Sequence, residues 1–329
     1  MEIPLSVLDL APVSSGTSAA ECVRRTVDLA RLAEQLGFRR YWFAEHHSLP
    51  AVASSSPEVL IAHVAARTER IRVGSGGIML PNHTPIRVAE AFKTLAALYP
   101  DRIDLGIGRA PGSEAFASKA LRAFDASAFS SLVSELLSFT RKLFPNGHPF
   151  ASLQAMPEDA VPPPIWILGS TGASAESAGR AGLGYAFATH FTAESPGPAI
   201  SMYRAAFTPN AEFAQPSAIL AVAVVCADTT AEAERLATTM DLGWLRIERG
   251  EFSALESPEE VAAHPFNESE RASIKRRRNL VVIGDPEEVR EQLTKRMAES
   301  GADELMIVTN VWSHEARLRS YELVAQALT

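Results

Sequence analysis

The chain has 329 residues, 47% of them hydrophobic and 21% charged, with a formal net charge of -8. That balance supports a large buried core and excludes disorder and collagen-like repeats, and its acidity argues against a nucleic-acid partner, which needs a cationic face. The longest apolar run, 218–227, is about half of the roughly 20 residues a membrane-spanning helix needs, and no basic segment opens the chain. Neither a membrane span nor a signal peptide is expected, and the expected location is the cytoplasm. Cys22 and Cys226 show no CxxC or Cys/His spacing, so they read as buried thiols of a reducing compartment, with no metal site.

Strand-like and helix-like segments alternate along the chain. Residues 3–9 form a strand and 19–36 a helix whose Val23, Val27, Ala30 and Leu36 share a face, with Gly37 as its stop. Strand 40–44, helix 57–67, strand 71–80, helix 86–98 and strand 103–108 follow. The rhythm then loosens: 117–143 is broadly helical and 145–164 is a proline-rich connector. Strand 165–168, helix 173–181, strand 183–189, a helix near 199–207, the continuous apolar strand 218–226 and helix 231–247 restore it. Residues 248–279 are polar and non-periodic, too long for an ordinary connector, and read as a lid or mobile excursion whose basic run Lys275, Arg276, Arg277 and Arg278 is a solvated loop. After a short extended piece at 280–283, Asp285, Pro286 and Glu288 supply a cap, an N1 proline and an N3 carboxylate for a helix ending at Gly301. Strand 304–309 and helix 315–328 complete the pattern. Eight principal strands, each followed by a helix, and several of them unbroken apolar runs, predict a single-domain α/β fold of the (β/α)8 TIM-barrel type, with the 248–279 excursion before the eighth strand. No GxGxxG follows the first strand, which argues against a dinucleotide-binding sheet.

In such a barrel the active site lies just past the strand ends. The second strand runs into Glu45, His46 and His47. Adjacent residues point to opposite sides, so one histidine at most faces the mouth, for catalysis or for a structural hydrogen bond. The third strand contains Gly74, Ser75, Gly76 and Gly77, and glycines inside a strand signify a bulge, an unusual peptide, or a flat ligand against the backbone. Arg109, between small residues after the fourth strand, suits an anion held by paired donors, or a surface ion pair. Gly169, Ser170 and Thr171 open a helix, as a phosphate site or as a cap. Because the fourth and fifth strands are neighbours, Arg109 and this helix start can grip one phosphate.

Taken in order, Ala44-Glu45-His46-His47, Val73-Gly74-Ser75-Gly76-Gly77-Ile78-Met79-Leu80-Pro81, Gly106-Ile107-Gly108-Arg109 and Gly284-Asp285-Pro286-Glu287-Glu288-Val289 resemble the bacterial-luciferase-like flavin-dependent monooxygenase family. The likeness spans nearly the whole chain and is closest to the single-chain branch that includes tailoring oxygenases of bacterial secondary metabolism. It implies a barrel holding FMN as FMNH2, its ring against Ser75, Gly76 and Gly77 and its phosphate near Arg109, Gly169, Ser170 and Thr171. It also implies an unusual backbone at Gly76 to Gly77, quite in keeping with a non-prolyl cis peptide. His46 is implied as the acid/base that faces the flavin, with Glu45, His190 and Trp312 around the substrate. The implied activity is a two-component monooxygenase: a separate NAD(P)H:flavin reductase supplies FMNH2, which reacts with O2 through a flavin C4a-hydroperoxide to oxygenate a small organic substrate. A homodimer is expected, from the resemblance and from the apolar helices within 57–98. The same barrel leaves an F420-dependent oxidoreductase and a non-catalytic flavin-binding protein as alternatives. Luciferase's cysteine before the arginine is Gly108 here, so light emission does not follow.

Overall fold

A computed structural model of the chain describes residues 3–122 and 125–328. β1 (Leu5–Asp9) is followed by α1 (Ala19–Gln35), β2 (Arg40–Phe43) by α2 (Pro57–Ala65), β3 (Arg72–Met79) by α3 (Pro85–Leu98), and β4 (Ile103–Gly108) by α4 (Ala115–Leu121) and α5 (Phe129–Arg141). The same unit repeats in β5 (Ile165–Gly169) with α6 (Gly172–Arg180), β6 (Gly184–Ala188) with α7 (Pro196–Ala206), and β7 (Ala218–Cys226) with α8 (Thr230–Glu248). Then come α9 (Pro258–Ala262), α10 (Glu268–Arg278), a short β8 (Val281–Gly284), α11 (Pro286–Ser300), β9 (Glu304–Val308) and α12 (His314–Leu328).

The strands pair in parallel, and the ring runs from β1 through β2, β3, β4, β5, β6 and β7 to β9, which closes back on β1. β8 stays outside the ring, paired with Ala223–Cys226 of β7. This is the expected single-domain (β/α)8 barrel. Local chemistry explains its pieces. The nine residues of β7 are all buried, as suits a strand covered on both faces. Several helix starts carry side-chain caps, among them Ser18 on α1, Thr229 on α8 and the reciprocal box of Asp285 and Glu288 on α11, while Gly301 closes α11 at φ 68°. No helix among the described residues is long and apolar enough to cross a membrane.

Two segments depart from the sequence-based expectation. Residues 117–143 are not one helix but α4 and α5 with a 3-10 turn between them, and Ala123 and Phe124 lie outside the described residues. The excursion 248–279 contains two helices, each with a capping box, Ser257 with Glu260 and Asn267 with Glu270. Its basic run is accordingly no solvated loop. It forms the last turn of α10, where Arg278 binds Asp241 through two bonds of 2.7 Å, and Arg277 binds Glu248 at 2.9 Å and stacks over Trp244. Cations at a helix C-terminus also complement its dipole. The stretch before α9 is fastened too: Leu255 exchanges backbone hydrogen bonds with Val13 and Ser15 of the β1–α1 connection.

The barrel's inner face begins with a buried charge cluster at the strand starts. The Arg40 guanidinium, 2% exposed, donates to Asp104 at 2.8 Å and to Glu304 at 2.7 and 3.1 Å. Arg72 and the Trp42 indole complete Asp104, the Ser6 hydroxyl completes Glu304, and Arg40 lies over the Trp42 and Trp166 rings. The cluster therefore spans β1, β2, β3, β4 and β9. Removing one member of a buried ion network leaves the others uncompensated. Arg40→Met is expected to destabilise the fold by about 3–5 kcal/mol in urea unfolding, whereas Arg319→Met, which breaks an exposed pair with Asp228, stays within about 1 kcal/mol.

Candidate active site

Above that floor the inward positions carry small or apolar side chains, including Ala44, Ala186, Ala221, Ala223 and Val308. Strand periodicity places one residue in two on this face. Extended past the strand ends, it brings His46 after β2, Ser170 after β5, His190 after β6 and Asn310 after β9 to the rim.

His46 and His190 are half-buried, and the Nδ1 of each is enclosed without a hydrogen-bond partner. Burial pushes the His46 pKa down to about 4 against the opposing charge of Glu45. Burial likewise pushes His190 down to about 4, against a hydrogen bond to the Ala221 carbonyl, and the proximity of His46 lowers it further. Both rings are thus uncharged at neutral pH, each with one nitrogen to donate and one to accept.

His47 takes the opposite side, as adjacent residues must. Its Nε2 lies 2.8 Å from Glu45 Oε1, and His83 Nε2 lies 2.9 Å from the same oxygen. The other oxygen, Oε2, accepts the Met79 N–H at 2.8 Å. Burial alone would raise the Glu45 pKa, but His83, His47 and this N–H hold it below the usual carboxylate range, and Glu45 in turn raises that of His83. Glu45, expected at the substrate, spends both oxygens on protein groups and ties the exit of β2 to the exit of β3. Sequence reasoning missed His83 and Asn82, whose amide also reaches Glu45 at 3.3 Å. Their place directly after the Gly-rich third strand was the available signal.

At β3 the Gly76–Gly77 peptide is cis, as expected, and the pairing with β4 slips between Ser75 and Ile78. The Ser75 hydroxyl is occupied, donating to the Gly106 carbonyl at 2.8 Å and accepting its N–H at 3.1 Å. A Cβ at Gly77 would stand 2.7 Å from the Gly106 oxygen, so close strand approach itself requires glycine here. Arg109 is exposed at the end of β4, and no hydrogen bond or ion pair engages it among the described residues. On the neighbouring β5, Gly169 leads to Ser170, whose hydroxyl makes no hydrogen bond among the described residues, and to Thr171, which caps α6 by accepting the Ser174 N–H at 3.4 Å. The Trp312 indole donates to Ser15 Oγ at 2.9 Å, and Trp312 lines a small pocket between the β1–α1 and β9–α12 connections with Thr17, Arg25 and His314.

The two depressed imidazoles make stability pH-dependent. Below the ordinary histidine pKa of about 6.5 the unfolded chain takes up protons that the folded rings refuse until about pH 4. Stability is therefore lost as pH falls through that window, by up to about 3 kcal/mol for each ring. His46→Gln should flatten the decline of the urea midpoint between pH 6.5 and 5; an unchanged slope would show that His46 titrates normally.

The profile of the family described as luciferase-like monooxygenase matches residues 3–304. A luciferase-like monooxygenase of Escherichia coli (strain K12) is 40% identical over 324 residues, covering 98% of this chain and 96% of its own. N-acetyl-S-alkylcysteine monooxygenase of Bacillus subtilis (strain 168) is 34% identical over 335 residues, covering 99% and 98%. The crystal structure of apo-MsnO8 superposes with a TM-score of 0.87 at 39% identity, covering 99% of both chains. The oxygenating constituent of 3,6-diketocamphane monooxygenase in complex with FMN (17% identical, TM-score 0.69) and an F420-dependent secondary alcohol dehydrogenase (14%, 0.68) share the fold. With its barrel, its motif-bearing strand ends and relatives matched along nearly their full length, the chain belongs to the luciferase-like monooxygenase family.

Proposed function

We propose that the chain is an FMN-dependent monooxygenase that receives FMNH2 from a separate NAD(P)H:flavin reductase and oxygenates a small organic substrate. The observation that carries this reading is Arg109, exposed and unpaired among the described residues at the end of β4, the strand paired with the β5 that leads into α6. A guanidinium and a hydroxyl that both lack partners among the described residues, at the ends of neighbouring strands and close in sequence to the first N–H groups of a helix, suit a phosphate and support this role over a surface ion pair. In this reading Arg109, Ser170 and the start of α6 hold the phosphate, while Thr171 shapes that start as its cap. The backbone of Ser75, Gly76 and Gly77 faces the ring.

Bound reduced FMN supplies the electrons that activate O2. The chain's residues supply the rest. The apolar inner wall keeps water out, and the uncharged His46 accepts or returns a proton at Nε2, the ring nitrogen that is neither enclosed nor hydrogen-bonded among the described residues. Glu45 acts at one remove, fixing through His47 and Met79 the two strand exits that carry His46 and the ring-facing backbone. The F420 alternative has less support, since the F420 enzyme shares the fold alone while the more similar relatives bear monooxygenase names.

Anaerobic titration followed by an oxygen pulse tests the reading: FMNH2 should bind and consume oxygen, and preferential binding of reduced F420 would sink it. Arg109→Ala should weaken FMN binding by about 2–3 kcal/mol, the scale of a hydrogen bond to a charged group, with riboflavin affinity unchanged in a fluorescence titration. Equal losses for both flavins would remove Arg109 from the phosphate. His46→Ala should leave FMN affinity intact and lower oxygenation by roughly 10²-fold, a split that unchanged turnover would contradict.

A further inference from the structure

Asn310 has no role in the reading above. It is the next inward position after Glu304, Met306 and Val308 of β9, so it occupies on that strand the place that His46 and His190 occupy after β2 and β6. Its Oδ1 is buried without a partner, and its amide nitrogen makes no hydrogen bond among the described residues. The neighbouring residues are held firmly. Thr309 donates its hydroxyl to the Val224 carbonyl at 2.8 Å, and its carbonyl accepts from Arg317 at 2.9 Å. Asn310 is thus aimed by a rigid backbone yet bound to nothing. Buried polar groups normally have partners, and one without calls for a ligand, water or ion in its place.

The groups named with it on the inner rim, His46, Ser170 and His190, include no carboxylate and no permanent cation. The inward cations at the floor, Arg40 and Arg72, are consumed by Asp104 and Glu304, and Arg109 follows the far strand β4, opposite β9 in the ring. His46 and His190 are neutral at working pH. A carboxylate seated among these groups would lose its hydration without gaining a countercharge, whereas an uncharged donor-acceptor group would find partners on several sides.

We propose that Asn310 is a substrate-positioning residue that receives an uncharged hydrogen-bonding group of the substrate, such as an amide or carbonyl, at the inner rim of the barrel. The assignment rests on the mouth being the oxygenation site and deepens it, since it selects substrates by the neutrality of the group that enters first. Charged parts of a substrate would remain outside, toward solvent.

Benzamide and benzoate, nearly identical in shape and differing in charge, are the probes. Their affinities are measured by saturation-transfer NMR on the full chain, with and without oxidised FMN. Benzamide should bind at least about tenfold more tightly than benzoate, and Asn310→Leu should erase that preference while FMN affinity stays as in the wild type. Because the native amide has no protein partner, the same variant should keep or raise the urea midpoint, as expected when an orphaned polar group is replaced by an apolar one of similar size. A lowered midpoint, or failure to fold, would show a structural role and overturn the assignment. So would benzoate binding as tightly as benzamide, or a preference that survives in Asn310→Leu. Should FMN fail to bind while the benzamide preference and its loss persist, the flavin reading falls and the assignment of Asn310 stands.

Discussion

The Arg40 guanidinium, enclosed between two carboxylates and two indoles, sets the conditions for everything above it. A charge this deep is tolerable only when every donor is met, so β1, β2, β4 and β9 must present Ser6, Trp42, Asp104 and Glu304 at one level. A slip of one residue on any strand would turn its member of the cluster outward and leave a charge unmatched. The network thereby specifies register and fills the barrel's lower half, leaving the upper half as the place where a ligand can enter.

The upper half reverses that logic. Below, the charged groups are all paired with one another; at the rim the His46 and His190 Nδ1 atoms and the Asn310 Oδ1 have no partner. The inward positions between them carry small, apolar side chains, chiefly alanines. Such groups destabilise the free protein and are retained where a bound molecule supplies what they lack. In the proposed function, rim and floor divide the work between binding and folding.

Two braces keep the rim in place. The Glu45 carboxylate joins β2 to β3 through Met79 and two histidines, one of them His47, the direct neighbour of His46. On the other side Asp9 accepts from the Ala11 N–H at 2.7 Å, the Tyr41 hydroxyl, and Arg317 at 2.6 Å, locking α12 and the first connection against β1. Residues presented from loops thus acquire the rigidity of strands, which suits groups that must hold their positions against a ligand.

What the sequence alone determined was the alternation of strands and helices and the location of the motifs at strand ends. Both are written in short-range signals: apolar periods of two and of 3.6, caps, and glycine or proline stops. The same kind of signal lay in Ser257 with Glu260 and in Asn267 with Glu270, so the helices α9 and α10 were legible as local boxes, although the polar composition around them suggested a loop. Tertiary structure alone decided which polar groups found partners. Arg40 meets Glu304 across 264 positions of chain and His83 meets Glu45 across 38, encounters that exist only once the ring closes. For the same reason no pattern in the sequence distinguished an Arg109 left free from one in an ion pair, a Glu45 facing a substrate from one consumed as a brace, or an Asn310 exposed at a loop from one buried at the rim: each depends on what closure of the barrel brings within about 3 Å, the reach of a hydrogen bond.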